Sequence, residues 1–235
     1  MVHAQVMMIS FSDEKPSQLR RIQELLLAHY PRQEDEWNFE INDAHKQALA
    51  EGQQPAHLAK WKLYLKSTKA RIKGTLRVSP SSPTHLLPAL EGVFTLKREK
   101  AGRMVYKRKF RVFLSLIGNF YTMFGQDEVH IETNSPIEEG TEIIAFQPVL
   151  YPTPYDVYEK WFTLIKKTLL KEYPGYEFVP YRTLRHRLKK VSTGLMGAEG
   201  TPQSLFQALF SPEDINPYLT VADHAKPTFA EGEFD

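Results

Sequence analysis

Two periods of apolar residues run along this chain, one helical and one of two, and they predict its elements. From Pro16 onward, Leu19, Ile22, Leu25, Leu26 and His29 recur at helical spacing, and Tyr30-Pro31 ends the pattern. Proline suits a first helical turn, where its missing N–H costs no hydrogen bond. The uncharged run Val2–Phe11 before it reads as a buried strand. Asn42 is placed to cap a second, mostly polar helix through Glu51, closed by Gly52.

Alternation then takes over. Trp61, Leu63 and Leu65 alternate with Lys62, Tyr64 and Lys66, which predicts a strand. The phase changes at Ser67-Thr68, and Ala70, Ile72, Leu76 and Val78 then oppose Lys69, Arg71, Lys73, Thr75 and Arg77. Residues 79–90 hold three prolines and read as a loop. Phe94 and Leu96 begin the next strand, and Lys100-Ala101-Gly102 supplies a hairpin turn. On the return strand Met104, Tyr106, Phe110, Val112 and Leu114 share one side, while Arg103, Lys107, Lys109 and Arg111 share the other. Arg108 alone falls on the apolar side, which places it at the sheet end or snorkelling outward. Asn119–Phe124, Val129–Thr133 and Glu142–Leu150 complete the strands, divided by Gly125, Pro136 and Gly140.

After the strands, Thr153-Pro154-Tyr155-Asp156 has the composition of a helix start, with Tyr158, Trp161, Phe162, Ile165 and Leu169 as the buried stripe. Tyr181–Val191 reads as a further basic helix with Leu184 and Leu188 inward, and Gly194, Gly197 and Gly200 mark a linker. Thr201-Pro202 opens a short helix carrying Leu205, Phe206, Leu209 and Phe210. The expected fold class is α+β, an antiparallel sheet with helices segregated before and after it. The expected organisation is one domain over residues 1–210 with an irregular acidic arm over 211–235. Proportions of this kind are those of bacterial accessory proteins, toxin-immunity proteins among them, an analogy of architecture alone.

Charge sharpens the picture. The 235 residues carry a net +2, but in blocks: −4 over 12–51, +13 over 60–111, −8 over 112–159, +7 over 160–190 and −6 over 191–235. A chain without cysteine has no disulfide, thiolate nucleophile or cysteine-ligated metal. The N-terminal apolar run lacks a basic flank and is too short to span a bilayer, so neither a signal peptide nor membrane insertion is expected, and the expected setting is cytoplasmic.

If the strands pair as read, Lys69, Arg71, Lys73, Arg77, Lys97, Arg103, Lys107, Lys109 and Arg111 gather on one sheet face. Like charges on adjacent strands repel by up to about 1 kcal/mol per opposed pair. An anionic partner offsets that repulsion, and so does coverage by the acidic 127–159 segment. The first arrangement implies a non-enzymatic protein holding an acidic protein partner. The alternative on the same face is nucleic acid or polyphosphate, for which cations suffice but stacking aromatics are few. A third reading is an enzyme with its site near His130. Glu128, His130 and Glu132 fall on one strand face, a weak pattern for a metal or for acid–base work. No cofactor is expected, since there is no phosphate loop, nucleophile elbow or close histidine pair. Oligomeric state is not legible in the sequence.

Overall fold

A computed structural model describes residues 15–30, 43–71, 78–80, 87–134, 141–146, 148–154, 157–188, 203–211, 215, 219–221 and 227–229. The expected first strand, the Asn42 cap and the glycine linker lie outside them. The architecture is α+β, a mostly antiparallel sheet with helices before and after it. In order the elements are α1 Pro16–His29, α2 Asp43–Gly52, α3 Pro55–Arg71, β1 Val78–Pro80, β2 Ala89–Ala101, β3 Met104–Ser115, β4 Phe120–Asn134, β5 Thr141–Ala145 and β6 Val149–Tyr151. Then come α4 Glu159–Glu172, β7 Glu177–Phe178, α5 Tyr181–Leu184, β8 Arg187–Leu188, β9 Gln203–Ser204, α6 Leu205–Leu209, β10 Leu219–Val221 and β11 Pro227–Phe229.

The first helix is as the spacing predicts, with Ile22 and Leu26 buried and the Tyr30 N–H bonded to the Leu26 carbonyl. The strand expected from Trp61 is not there, nor is the start of the one expected from Ala70: Pro55–Arg71 is one continuous helix. Its buried residues are Trp61, Tyr64, Leu65 and Thr68, spaced three, one and three apart, so Leu63 points outward. Alternation over only six residues fits both periods. Proline at the helix start, few β-branched residues and a run of Ala, Lys and Leu decide for the helix. Of the second expected strand Val78 is in β1, which runs on to Pro80 inside the segment read as a loop, as β2 does from Ala89, and residues 72–77 lie outside the described residues.

The sheet runs β1-β2-β3-β4-β6-β10-β11, with β5 and β7 also pairing with β4. β10 lies parallel to β6 and β7 parallel to β4, and the other pairs are antiparallel. The β2–β3 hairpin turns one residue later than expected, Ala101 pairing with Met104 and Gly102 taking φ 58°. Gly125 does not divide the next strand, for β4 continues through it. A Cβ there would meet the Tyr158 ring at 2.6 Å, so the glycine admits an aromatic ring against the backbone.

Each sheet face buries a separate core. On one face Phe110, Val112 and Leu114 of β3 pack with Trp61, Tyr64 and Leu65 of α3 and with Phe162, Ile165 and Leu169 of α4. On the other, Phe113 and Phe124 pack with Ile22 and Leu26 of α1 and with Phe206 and Leu209 of α6. Helix α3 approaches closely because β2 has glycine beneath it: a Cβ at Gly92 would sit 2.5 Å from Leu65 Cδ2.

Four later expectations are corrected. Helix α4 starts at Glu159 rather than near Thr153, and its cap residue Tyr158 makes no side-chain capping bond. The basic helix expected over 181–191 lasts one turn, then Arg187–Leu188 pair with Gln203–Ser204 as a two-stranded ribbon. The last helix is capped by Ser204, which forms a capping box with Gln207. In the segment read as an irregular arm, Leu219–Val221 and Pro227–Phe229 are strands of the sheet. Among the described residues no helix is long and apolar enough to cross a membrane.

Candidate functional site

The described cations expected on one plane are distributed over four places. Lys69 and Arg71 lie on helix α3 and are exposed. Lys73 and Arg77 lie outside the described residues. Arg103 is exposed in the hairpin turn, and Lys107, Lys109 and Arg111 share one face of β3 as their alternation predicts. Lys97 does not join them. An irregularity between Thr95 and Lys97 shifts the register, so Lys97 pairs with Arg108 and shares the opposite face.

Carboxylates line the shared face. Lys109 Nζ meets Glu128 Oε2 at 2.5 Å, and Arg111 Nε meets Glu91 Oε1 at 2.6 Å. Arg111 Nη1 also donates to Gln126 Oε1 at 3.2 Å, and Gln126 Nε2 donates to Glu128 at 2.8 Å. The Arg111 side chain is 11% exposed and its guanidinium lies 5.0 Å from the Phe113 ring centroid. Charge here is therefore matched across strands, the second of the two arrangements the sequence allowed. The acidic partner of these two cations is the chain itself.

Toward the hairpin tip, Glu132 takes Lys100 at 2.5 Å and Arg98 at 3.7 Å. The Lys100 hydrogen bond holds its carboxyl below the usual value, with the Lys100 and Arg98 charges adding to the effect. Glu128, His130 and Glu132 do share a face, but Glu128 is held by Lys109 and Gln126, and His130 Nε2 stands 3.9 Å from Glu132 Oε1. Among the described residues no three His, Asp or Glu side chains are grouped to hold a metal.

The open cationic surface is helical. Helix α3 carries Lys60, Lys62, Lys66, Lys69 and Arg71, all exposed, and no acid. Among the described residues none of the five is ion-paired; Lys60 Nζ lies 4.5 Å over the Tyr173 ring. Leu63 stands among them, 66% exposed. Helix α4 packs beside α3, Thr68 Oγ1 meeting Thr168 Oγ1 at 3.5 Å, and adds exposed Lys160, Lys167 and Lys171. Half-buried Lys166 is pushed down by desolvation and by the neighbouring Lys15 charge. Sequence reasoning missed this surface because it assigned α3 to strands; the three-one-three spacing from Trp61 to Thr68 was the available signal.

Arg108, the residue that broke the alternation, neither ends the sheet nor snorkels. It pairs with Asp127 directly across β3 and β4. Asp127 Oδ1 accepts from Arg108 Nε at 3.1 Å and Tyr158 OH at 2.6 Å. Its Oδ2 accepts from Arg108 Nη2 at 3.3 Å, Tyr106 OH at 2.8 Å and Tyr151 OH at 3.2 Å. Burial, the Asp127 hydrogen bond and the Asp127 charge push Tyr106 well above the usual phenol range, and Tyr158 moves the same way. Burial opposes the Arg108 charge, but Asp127 outweighs it and holds the guanidinium above its usual value. The tyrosines are thus fixed hydrogen-bond donors. Five hydrogen bonds converge on Asp127 and tie β3, β4, β6 and the start of α4 together.

No family model, no curated protein and no solved structure matches this chain.

Proposed function

We propose that this protein is a binding protein that engages an acidic surface of another protein through the cationic outer face of α3 and α4. One observation carries the reading: five exposed cations on α3, with no acid in the helix and no ion pair among the described residues. Clustered cations that the fold leaves unmatched raise the local potential and steer anionic partners. Leu63 favours a protein over a phosphate backbone. Protein interfaces set apolar side chains among charged ones, whereas a phosphate backbone offers a leucine nothing to pack against. The carboxylates near His130 are engaged by cations, which supports binding over acid–base chemistry.

The test is a triple reversal, Lys62→Glu, Lys66→Glu and Lys69→Glu, which touches no buried residue. Proteins captured by the wild-type chain at low salt should be acidic, should be released as salt rises, and should be lost from the variant. Undiminished capture by a folded variant rejects this surface. Anisotropy titrations with generic DNA and RNA supply the competing outcome: tight, salt-sensitive binding there would assign the face to nucleic acid instead.

A further inference from the structure

The exposed side of α3 has an order that its charge alone does not describe. A helix turns about 100° per residue, which sets Ala56, Ala59, Ser67 and Ala70 within about 40° of Leu63. These five residues are exposed, and buried Trp61, Tyr64, Leu65 and Thr68 take the opposite side. Cations flank the band in two rows. Lys60 and Arg71 stand along one edge, and Lys62, Lys66 and Lys69 along the other. Among the described residues no carboxylate pairs with either row.

The chemistry of the band limits what can lie on it. Leu63 is its one large side chain and stands clear of the helix. Its one hydroxyl is already used, since Ser67 Oγ donates to the Tyr64 carbonyl at 2.9 Å. A strand or loop placed there would lose water from its N–H and C=O groups without gaining partners. A helix arrives with those groups bonded within itself. Alanines let a second helix axis come close, and a shallow crossing keeps the two in contact over the roughly 20 Å from Ala56 to Ala70. Side chains on both edges then meet the partner's as ion pairs.

We propose that α3 receives a helix of the partner protein, laid along residues 56–70, with small apolar residues facing α3 and aspartate or glutamate along both edges. The two unmatched rows of cations call for carboxylates on both sides of the seam, and the band between them calls for a segment that needs no backbone partner. A second copy of this chain meeting through the same helix would set cation against cation. A membrane surface would gain little from one leucine among alanines. The inference rests on the proposed acidic partner and adds to it the secondary structure of the bound segment and the position of its carboxylates.

The probes are two synthetic peptides of about 18 residues, titrated against the full chain by anisotropy. One carries alanine and leucine along one helical face with glutamate on both edges, and the other is a scramble of it with the same charge and no such face. The first should bind and gain helical circular dichroism, and the scramble should bind at least about tenfold more weakly. The double variant Ala59→Gln, Ala70→Gln keeps the charge of α3 and suits an exposed helix, yet crowds the seam; it should weaken the first peptide by about tenfold. Leu63→Gln should do likewise, and the triple lysine reversal should abolish binding. Circular dichroism of the variants checks the fold. No binding of the first peptide, or equal binding of the two peptides, overturns the docked helix. So does peptide binding that the glutamine variants leave unchanged. If the triple reversal alone abolishes binding and the glutamine variants do not, the helix fails while the acidic-partner reading stands. Peptide binding that the triple reversal spares overturns both. Sedimentation of the wild type with vesicles of phosphatidylcholine and phosphatidylserine, lost in the triple reversal, would make the occupant a lipid surface and also overturn the proposal.

Discussion

Tyr158 donates to Asp127 at 2.6 Å while its ring lies flat against the bare backbone of Gly125, so one side chain closes both the hydrogen-bond cluster and the end of the helical layer. Asp127 is then surrounded by three phenols and a guanidinium. Tyr158→Phe should lower stability by about 1–2 kcal/mol, the loss of one hydrogen bond to a charged acceptor that keeps its other donors. Asp127→Ala should cost more, about 3 kcal/mol, because it leaves a half-buried guanidinium and three phenols without their acceptor. Urea midpoints measure both, and equal costs would deny Asp127 its central place.

The same contact predicts a penalty at Gly125. Gly125→Ala puts a Cβ 2.6 Å from the Tyr158 ring, too close for any side chain. The ring must move, and its bond to Asp127 must lengthen. A loss of about 1–3 kcal/mol is expected from the overpacking. In a Tyr158→Ala background the added cost of Gly125→Ala should largely vanish, and a double-mutant cycle reads that coupling.

Helix α3 can be tested against the strand that alternation suggests. Leu65 is buried against Gly92 and Leu63 is exposed. Leu65→Ala should therefore cost about 2–5 kcal/mol, as deletions in a packed core do. Leu63→Ala should change stability by less than about 0.5 kcal/mol. A strand with Trp61, Leu63 and Leu65 inward demands comparable losses at both sites.

Acid should weaken the contact of α1 with α2 before it reaches the carboxylates. His45 is buried beside Tyr30 and His29, with ring centroids 4.6 and 6.2 Å away. Desolvation, with a smaller contribution from His29, pushes His45 down to about 4, and desolvation also lowers His29. The unfolded imidazole binds its proton near 6.5, so the unfolded state gains protons first. Stability should be full above that value and decline as pH falls from about 6.5 towards 4. Glu132, held below its usual 4.5, contributes stability that is lost only under more acid conditions, so the windows separate. Urea midpoints from pH 7.5 to about 4.5 should slope in the wild type and flatten in His45→Gln. Equal slopes would remove His45 as the cause.

Much of the sheet was legible from residue order. The alternation from Met104 to Leu114 carries the two faces of β3, because pleating sends successive side chains to opposite sides whatever surrounds them. Helices α1 and α4 were legible as stripes of apolar residues, and the block charge was visible as arithmetic. The acidic 112–159 block, which holds Asp127, Glu128 and Glu132, lies beside the basic β3 strand because the two pair in register. Sequence alone permitted that pairing without requiring it.

The amino-acid order by itself determined an α+β chain, its basic and acidic blocks and the side of β3 that each residue takes, since these follow from local periodicity and composition. Tertiary structure decided which cations stay open to solvent. Strand register set Glu128 against Lys109 and Glu91 against Arg111, and the irregularity after Thr95 turned Lys97 to the other face. Packing of Leu65 over Gly92 of β2 fixed which side of α3 is buried and so which of its lysines face outward. Pairing and packing join residues far apart in the chain, and short-range pattern carries no information about which distant partner arrives.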